Sequence, residues 1–385
     1  MLAGKSRYLD KLTSRMRFRS MEMKERMEGS SPPSVFIGKS GYPRVFIGPM
    51  MTETIGDTSI LDTPESWVGQ SGIEDVVDFR LQLVRGKYAS HVTDENKMTQ
   101  MLRDIALSKK SVGMEAEFSK KPRGYAFHEE TQPFGPSGPL KTLVVHESKY
   151  EPHMEKVYYD TDLLAREAVL WLYDRGLLVS AIQKAFSVGS MGFERNRKLV
   201  PTRWSITAVD TILSEPMLEE IRGFEKIPDY RVYEYSSFSN TYYVLMLPTE
   251  WQYEFMEAFI HVLGREELLF SDHENYFGRK EYASIGGCYY AARVAVAEKL
   301  HSSREQAGVV IFRESYPGYV PLGVWNVREN MRAALSQNHK RFENLETALN
   351  YIYSKLWIPR SRWIAESKIL KNLRIQKRLG EFVRK

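Results

Sequence analysis

The densest run of side chains able to move a proton or hold a cation is Ser271-Asp272-His273-Glu274-Asn275. Its oxygen and imidazole ligands suit Mg²⁺, Mn²⁺ or Zn²⁺. Three adjacent residues face one ion only in an unusual loop, however, and no His-x-His or His-x-x-x-Glu spacing supports them. A short polar run between helices also reads as a solvated turn. A further acid, Asp210, closes the stretch "PTRWSITAVD", which reads as a strand from Arg203 to Asp210 running into a helix over 211–222. An Asp at such a junction either caps the helix or lies where strand-end acids converge on a cleft. Asp210 together with Asp272, His273 or Glu274 would bind a divalent metal that activates water, the chemistry of a nuclease or phosphodiesterase. No other cofactor is indicated. Cys288 follows Gly286-Gly287 at the start of an expected helix, where a thiol is acidified. The apolar run after it, Tyr289 to Val296, equally suits a small buried residue.

Phosphate chemistry is suggested near the other end, in "SVFIGKSGYPRVFIGP" (Ser34–Pro49), which contains VFIG twice. Gly38-Lys39-Ser40 imitates the end of a Walker A loop, but position 33 is Pro where that loop needs Gly, and strands rather than a helix flank it. Each VFIG copy reads as a strand and the separator, with Gly41 and Pro43, as a turn. Lys39 and Arg44 beside that turn, with Arg203, can hold a phosphate. An ordinary hairpin with basic turn residues is the plainer reading.

The C-terminal "IQKRLGEFVRK" carries Gln376, Leu379, Phe382 and Val383. The last three fall at i, i+3 and i+4, so one helical turn makes an apolar plug for a partner's pocket. The pattern resembles the PIP box by which replication and repair proteins bind the PCNA sliding clamp. It departs at Val383, where an aromatic residue is more common. An amphipathic terminal helix packed on its own domain has the same pattern.

The elements that must position these groups follow from pattern. Helices are expected at 73–85, 95–109, 161–176, 250–264 and 288–301; strands are expected at 141–147, 308–315 and 318–327, with a hairpin over 230–248. Strands and helices alternate without a βαβ period, which predicts an α+β fold. It comprises a larger N-terminal domain with mixed sheets and flanking helices, a smaller α+β C-terminal domain and a helical basic tail. The boundaries fall at 1–33 (basic helical arm, with "GSSPPS" as linker), 34–270, 271–372 and 373–385.

At 385 residues and 43% hydrophobic composition the chain is globular and long enough for two cores. A single cysteine excludes intramolecular disulfides and Cys-based zinc sites. With no secretory signal and no membrane-length apolar run, a cytoplasmic protein is expected. Of the net charge of +5, residues 1–30 carry eight basic against four acidic groups and 360–385 nine against two, so the body between is acidic. Basic ends on an acidic body suit a polyanion such as DNA.

"SVFIGKSGYPRVFIGP", "LVPTRWSITAVD", "GGCYYAARVAVAEKL" and "QKRLGEFV" together resemble the archaeal Nre family of DNA-repair proteins. The resemblance runs from Ser34 onward. It implies Nre N-terminal-type and C-terminal-type domains, a role in the response to DNA damage, and PCNA binding through Gln376, Leu379, Phe382 and Val383. Family members often begin with a cysteine-rich, zinc-finger-like segment. This chain has a basic stretch there, so phosphate contacts would replace any zinc-mediated contact with DNA. The resemblance carries no catalytic residues. Two readings therefore stand: a clamp-tethered repair protein that binds nucleic acid without chemistry, and a metal-dependent nuclease or phosphodiesterase.

Overall fold

The computed structural model describes residues 23–127 and 131–373. The chain divides into two compact units. Described residues up to Leu213, joined by Pro321–Trp325, make the first; Ser214–Val320 and 326–373 make the second. Each is an α+β unit built on a mixed six-stranded sheet with flanking helices.

In the first unit the strands are β1 (Arg26–Ser31), β2 (Val35–Ile37), β3 (Arg44–Met51), β4 (Val84–His91), β5 (Val112–Phe118) and β6 (Ser137–Val145). Their order is β1-β5-β6-β4-β3-β2, antiparallel except where β4 runs alongside β6. The helices are α1 (Ile73–Leu81), α2 (Lys97–Ala106), α3 (Pro152–Tyr159), α4 (Ala165–Asp174), α5 (Val179–Ser187) and α6 (Thr202–Ile221), the last contributing Thr202–Leu213 to this unit.

The doubled VFIG is one device used twice. Strand alternation turns Val35, Ile37, Val45 and Ile47 into the core, where they pack with Met98, Leu102 and Ile105 of α2. Phe36, Gly38, Phe46 and Gly48 therefore share the other face. In the antiparallel register Phe36 lies opposite Gly48, and the Gly38 N–H donates to the Phe46 carbonyl at 2.8 Å. Each phenylalanine thus faces the glycine of the other copy. Gly48 tolerates no side chain, since a Cβ there would sit 1.9 Å from the Gly86 carbonyl oxygen; a Cβ on Gly38 would lie tightly at 3.1 Å from the Phe46 carbonyl and in ordinary contact with Arg85 at 3.5 Å.

The second unit contains β7 (Tyr230–Ser237), β8 (Asn240–Leu247), β9 (Gln252–Ile260), β10 (Glu267–Glu274), β11 (Gly308–Ser315) and β12 (Lys340–Phe342), in the order β10-β9-β11-β8-β7-β12. Its helices are α7 (Gly287–Ser303), α8 (Trp325–Ser336), α9 (Leu345–Tyr353) and α10 (Arg360–Glu366); Trp325 itself counts with the first unit. Every residue of β11 is buried, as expected of a central strand covered on both faces. One face packs on Leu349 and Ile352 of α9 and Trp363 of α10. Cys288 is a buried cysteine outside any disulfide in the first turn of α7, and Arg313 Nη1 donates to its Sγ at 3.9 Å.

Several elements differ from the sequence expectation. Residues 203–210 are not a strand: α6 runs unbroken from Thr202, so Asp210 lies in mid-helix and caps nothing. The β-branched Ile206, Thr207 and Val209 favour a strand locally, and tertiary burial overrides them. The expected helix over 250–264 is β9, buried on both faces, so its near-continuous apolar run carries no alternation to read. Residues 318–327 contain Pro321 and Gly323 and form a loop that enters α8. "GSSPPS" is not a linker, because Gly29–Ser31 pair with β5 inside β1. Ser271–Glu274 lie on β10 and not in a turn. Val84–His91, partly assigned to a helix, is β4. Of the expected helical arm over 1–33, Arg26–Ser31 form strand β1 and not helix; residues 1–22, like the tail beyond 373, lie outside the described residues.

Candidate functional site

The outward face of β2, β3 and β4 forms one wall of a cavity of about 250 Å³. Four cations line it: Lys39 from the β2–β3 turn, Arg85 and Lys87 from β4, and Arg203 from the first turn of α6. Strand alternation puts Arg85 and Lys87 on the same face, and the hairpin supplies Phe36 and Phe46 beside them. α6 is fixed to the hairpin edge, since the Ile37 N–H donates to Thr202 Oγ1 at 2.9 Å. That bond holds Arg203 next to the turn carrying Lys39. The helix N-terminus adds its own positive end to the same region.

Arg85 is the deepest of the four and only 7% exposed. Its guanidinium lies 4.1 Å over the Phe36 ring and 5.5 Å from the Phe134 ring centroid. Nη2 donates to the Phe46 carbonyl at 3.0 Å, while Nε has no hydrogen-bond partner among the described residues. Burial pushes Arg85 down to about 10. Lys87 is also lowered, first by burial and then by the neighbouring Arg85. Among the described residues no carboxylate pairs with either group. Thr131 Oγ1, on the same cavity, is likewise buried without a partner among the described residues.

A smaller cavity of about 50 Å³ adjoins it, sharing Phe36 and Thr131. Here the charges are satisfied. Asp62 accepts from Arg80 at 2.6 Å and Lys184 at 3.1 Å, and Arg80 Nε also donates to the Pro133 carbonyl. Burial alone would raise the Asp62 carboxyl, but Lys184 and then Arg80 outweigh it and hold it below its ordinary value. Asp210 is fully buried and accepts from Gln183 Nε2 at 3.1 Å. It ties α6 to α5 and lies outside the larger cavity.

The other sequence candidates are dispersed. Arg44 opens β3 opposite His91 and is not part of the cavity lining. In the second unit, alternation along β10 sends His273 to the face opposite Asp272 and Glu274. Asp272 accepts from Arg279 at 2.7 Å, Ser284 at 2.7 Å and the Ile285 N–H at 3.1 Å. Burial opposes its ionisation, but these bonds win and lower its pKa. Glu274 accepts from Trp251 Nε1 at 3.1 Å, Tyr289 Oη at 3.0 Å and Arg293 at 3.0 Å. Burial and then Arg279 keep His273 below its ordinary value. Among the described residues no three His, Cys, Asp or Glu side chains are grouped to hold a metal. Gln376, Leu379, Phe382 and Val383 lie outside the described residues.

A family model described as Archaeal Nre, N-terminal, matches residues 2–262, and one described as Archaeal Nre, C-terminal, matches 274–382. The chain belongs to the archaeal Nre family. It is 42% identical to the DNA repair protein NreB of Archaeoglobus fulgidus, over 92% of this chain and 91% of that one. It is 35% identical to the same organism's DNA repair protein NreA, over 91% and 90%. To the DNA repair protein NreA of Haloferax volcanii it is 30% identical, over 83% and 80%. No solved structure matches it.

Two of the sequence stretches that resemble the Nre family meet at the larger cavity. "SVFIGKSGYPRVFIGP" supplies Phe36, Lys39 and Phe46, and "LVPTRWSITAVD" supplies Arg203. Sequence reasoning reached Lys39 and Arg203 but missed Arg85 and Lys87. The available signal was the alternation in "VRGKYASH", with two cations two residues apart around a glycine.

Proposed function

We propose that this Nre-family protein acts in DNA repair, as its relatives are named for, and that its first unit holds a phosphate group of nucleic acid in the cavity between Lys39, Arg85, Lys87 and Arg203. The observation that carries the reading is Arg85. A buried guanidinium without a carboxylate partner among the described residues is costly to fold, and an anion entering from solvent offsets that cost. Three further cations on the rim give the same ligand electrostatic attraction from a distance. The basic ends of the chain are a separate source of phosphate contacts. Fluorescence anisotropy of a labelled oligonucleotide over a salt series tests this. The variant Lys39→Ala/Lys87→Ala/Arg203→Ala should bind at least about tenfold more weakly, with a shallower dependence on salt concentration. Equal affinity and equal slope would remove the cavity from the reading.

The same proposal includes tethering to the PCNA sliding clamp through Gln376, Leu379, Phe382 and Val383. Its support is the spacing of these residues and the basic approach to them. Tethering raises local concentration at replicating DNA without a further contact. Calorimetric titration of the clamp should give binding with the full chain and none with a chain ending at Ile375. Equal binding by both would move the contact away from the tail.

A further inference from the structure

We propose that the cavity is a receptor for a terminal phosphomonoester, the phosphate on a strand end or on a single nucleotide, and that Phe46 stacks on the base attached to it. This rests on the phosphate reading above and specifies which phosphate.

Charge comes first. Arg85 lies at the base of the cavity with one donor committed to the Phe46 carbonyl and Nε unpartnered among the described residues. Lys87 stands on the same strand face, and Lys39 and Arg203 face in from the turn and the helix. A phosphodiester within a strand brings a single negative charge to such a cluster. A phosphomonoester brings about −1.5 to −2 at neutral pH and three acceptor oxygens, a closer match to several cations that include a buried one. An arginine also offers a planar set of donors suited to adjacent phosphate oxygens.

Size and shape are the second argument. A cavity of about 250 Å³ is slightly smaller than an ordinary small-molecule site. It has room for a phosphate and part of its nucleoside, and not for a base pair. A strand end can place its last phosphate on Arg85 while the remaining chain leaves through the mouth.

The mouth supplies the third. Phe46 lines the cavity and yet is 51% exposed, although its neighbours Val45 and Ile47 are buried. Tyr42, from the turn, and Trp204, adjacent to Arg203, stand 4.9 Å apart ring to ring and are 41% and 44% exposed. Exposed aromatic faces beside a cationic groove are how proteins hold unpaired bases, which stack without regard to sequence.

The test uses the full chain and labelled single-stranded oligonucleotides carrying a 5′-phosphate, a 3′-phosphate or hydroxyl ends, with inorganic phosphate and a deoxynucleoside monophosphate as competitors. One phosphorylated end should bind at least about tenfold tighter than the hydroxyl-ended strand. Lys87→Ala and, separately, Arg203→Ala should abolish that difference. Phe46→Ala should weaken the phosphorylated oligonucleotide and leave competition by inorganic phosphate unchanged. If the monophosphate competes as well as the phosphorylated strand, the receptor stands with a free nucleotide as its ligand. If all three strands bind alike, and Lys87→Ala weakens them alike, end selection is overturned while the general phosphate reading survives. Absence of binding to every strand and to the monophosphate at low salt overturns both.

Discussion

The guanidinium of Arg85 lies 4.1 Å over the ring of Phe36, the first phenylalanine of the doubled VFIG, and donates to the carbonyl of Phe46, the second. One buried cation thus joins both copies of the repeat. The ring offers it cation–π attraction and the carbonyl a charge-assisted bond, but the carboxylate that usually accompanies a buried arginine is not among its described partners.

Such a residue should trade stability for binding. Arg85→Met keeps apolar contact with Phe36 and Phe134 and removes a buried charge that has no carboxylate partner among the described residues. Its unfolding free energy in urea should match the wild type or exceed it by about 1–2 kcal/mol, while affinity for phosphate falls at least about tenfold. A loss of several kcal/mol with binding intact would instead make Arg85 a brace for the hairpin.

Binding should also depend on pH, with a definite sign. Burial brings Arg85 down to about 10, and Lys87 is lowered by burial and by Arg85. Only the protonated forms attract an anion. Affinity is therefore complete at neutral pH and falls as pH rises toward and through about 10, and binding in that window takes up protons. Calorimetry at pH 9.5 in two buffers of different ionisation enthalpy measures the uptake. Pairwise agreement between the two buffers would mean that neither group changes its protonation on binding.

The sequence displayed the hairpins, α7 and the basic turn because each rests on local chemistry: β-branched and aromatic runs, glycine punctuation and a helical apolar face. It concealed the rest where burial was two-sided or paid for far away in the chain. β9 carries Glu254 and Glu257 three residues apart, like the polar face of a helix. Both are fully buried, Glu257 on Arg313 at 2.9 Å and Glu254 on Ser367 and the Lys368 N–H. Arg85 was hidden for the same reason. Its environment is made by Phe36, Phe46 and Phe134, residues about 40–50 positions away. Asp272, His273 and Glu274 were conspicuous by adjacency, yet strand alternation separates them.

Glu274 separates a structural acid from a metal ligand. Glu274→Ala leaves Trp251 Nε1, Tyr289 Oη and Arg293 facing a buried gap. The loss should be about 3–5 kcal/mol in urea unfolding, the usual cost of stranding a buried charge. Unchanged stability, combined with loss of a metal-dependent activity, would reverse the assignment.

Asp62 gives the acid limb of stability. It is the carboxylate shared by Arg80 and Lys184, and its folded pKa lies below its ordinary value because these cations outweigh burial. Arg80 is itself lowered, burial taking more than Asp62 returns, so the favourable part of the cluster is the carboxylate's and not the arginine's. A depressed carboxyl contributes stability above its unfolded pKa of about 3.8 and loses it as pH falls through the folded value. Asp62→Asn should therefore cost about 3–5 kcal/mol at pH 7, because buried Arg80 and partly buried Lys184 lose the carboxylate they share. Its penalty should shrink as pH falls below about 3.8 and through the depressed folded value, where the wild-type group protonates. Urea midpoints between pH 2.5 and 7 follow both curves. A penalty that stays constant to the lowest pH would show that Asp62 acts through shape and hydrogen bonding and not through charge.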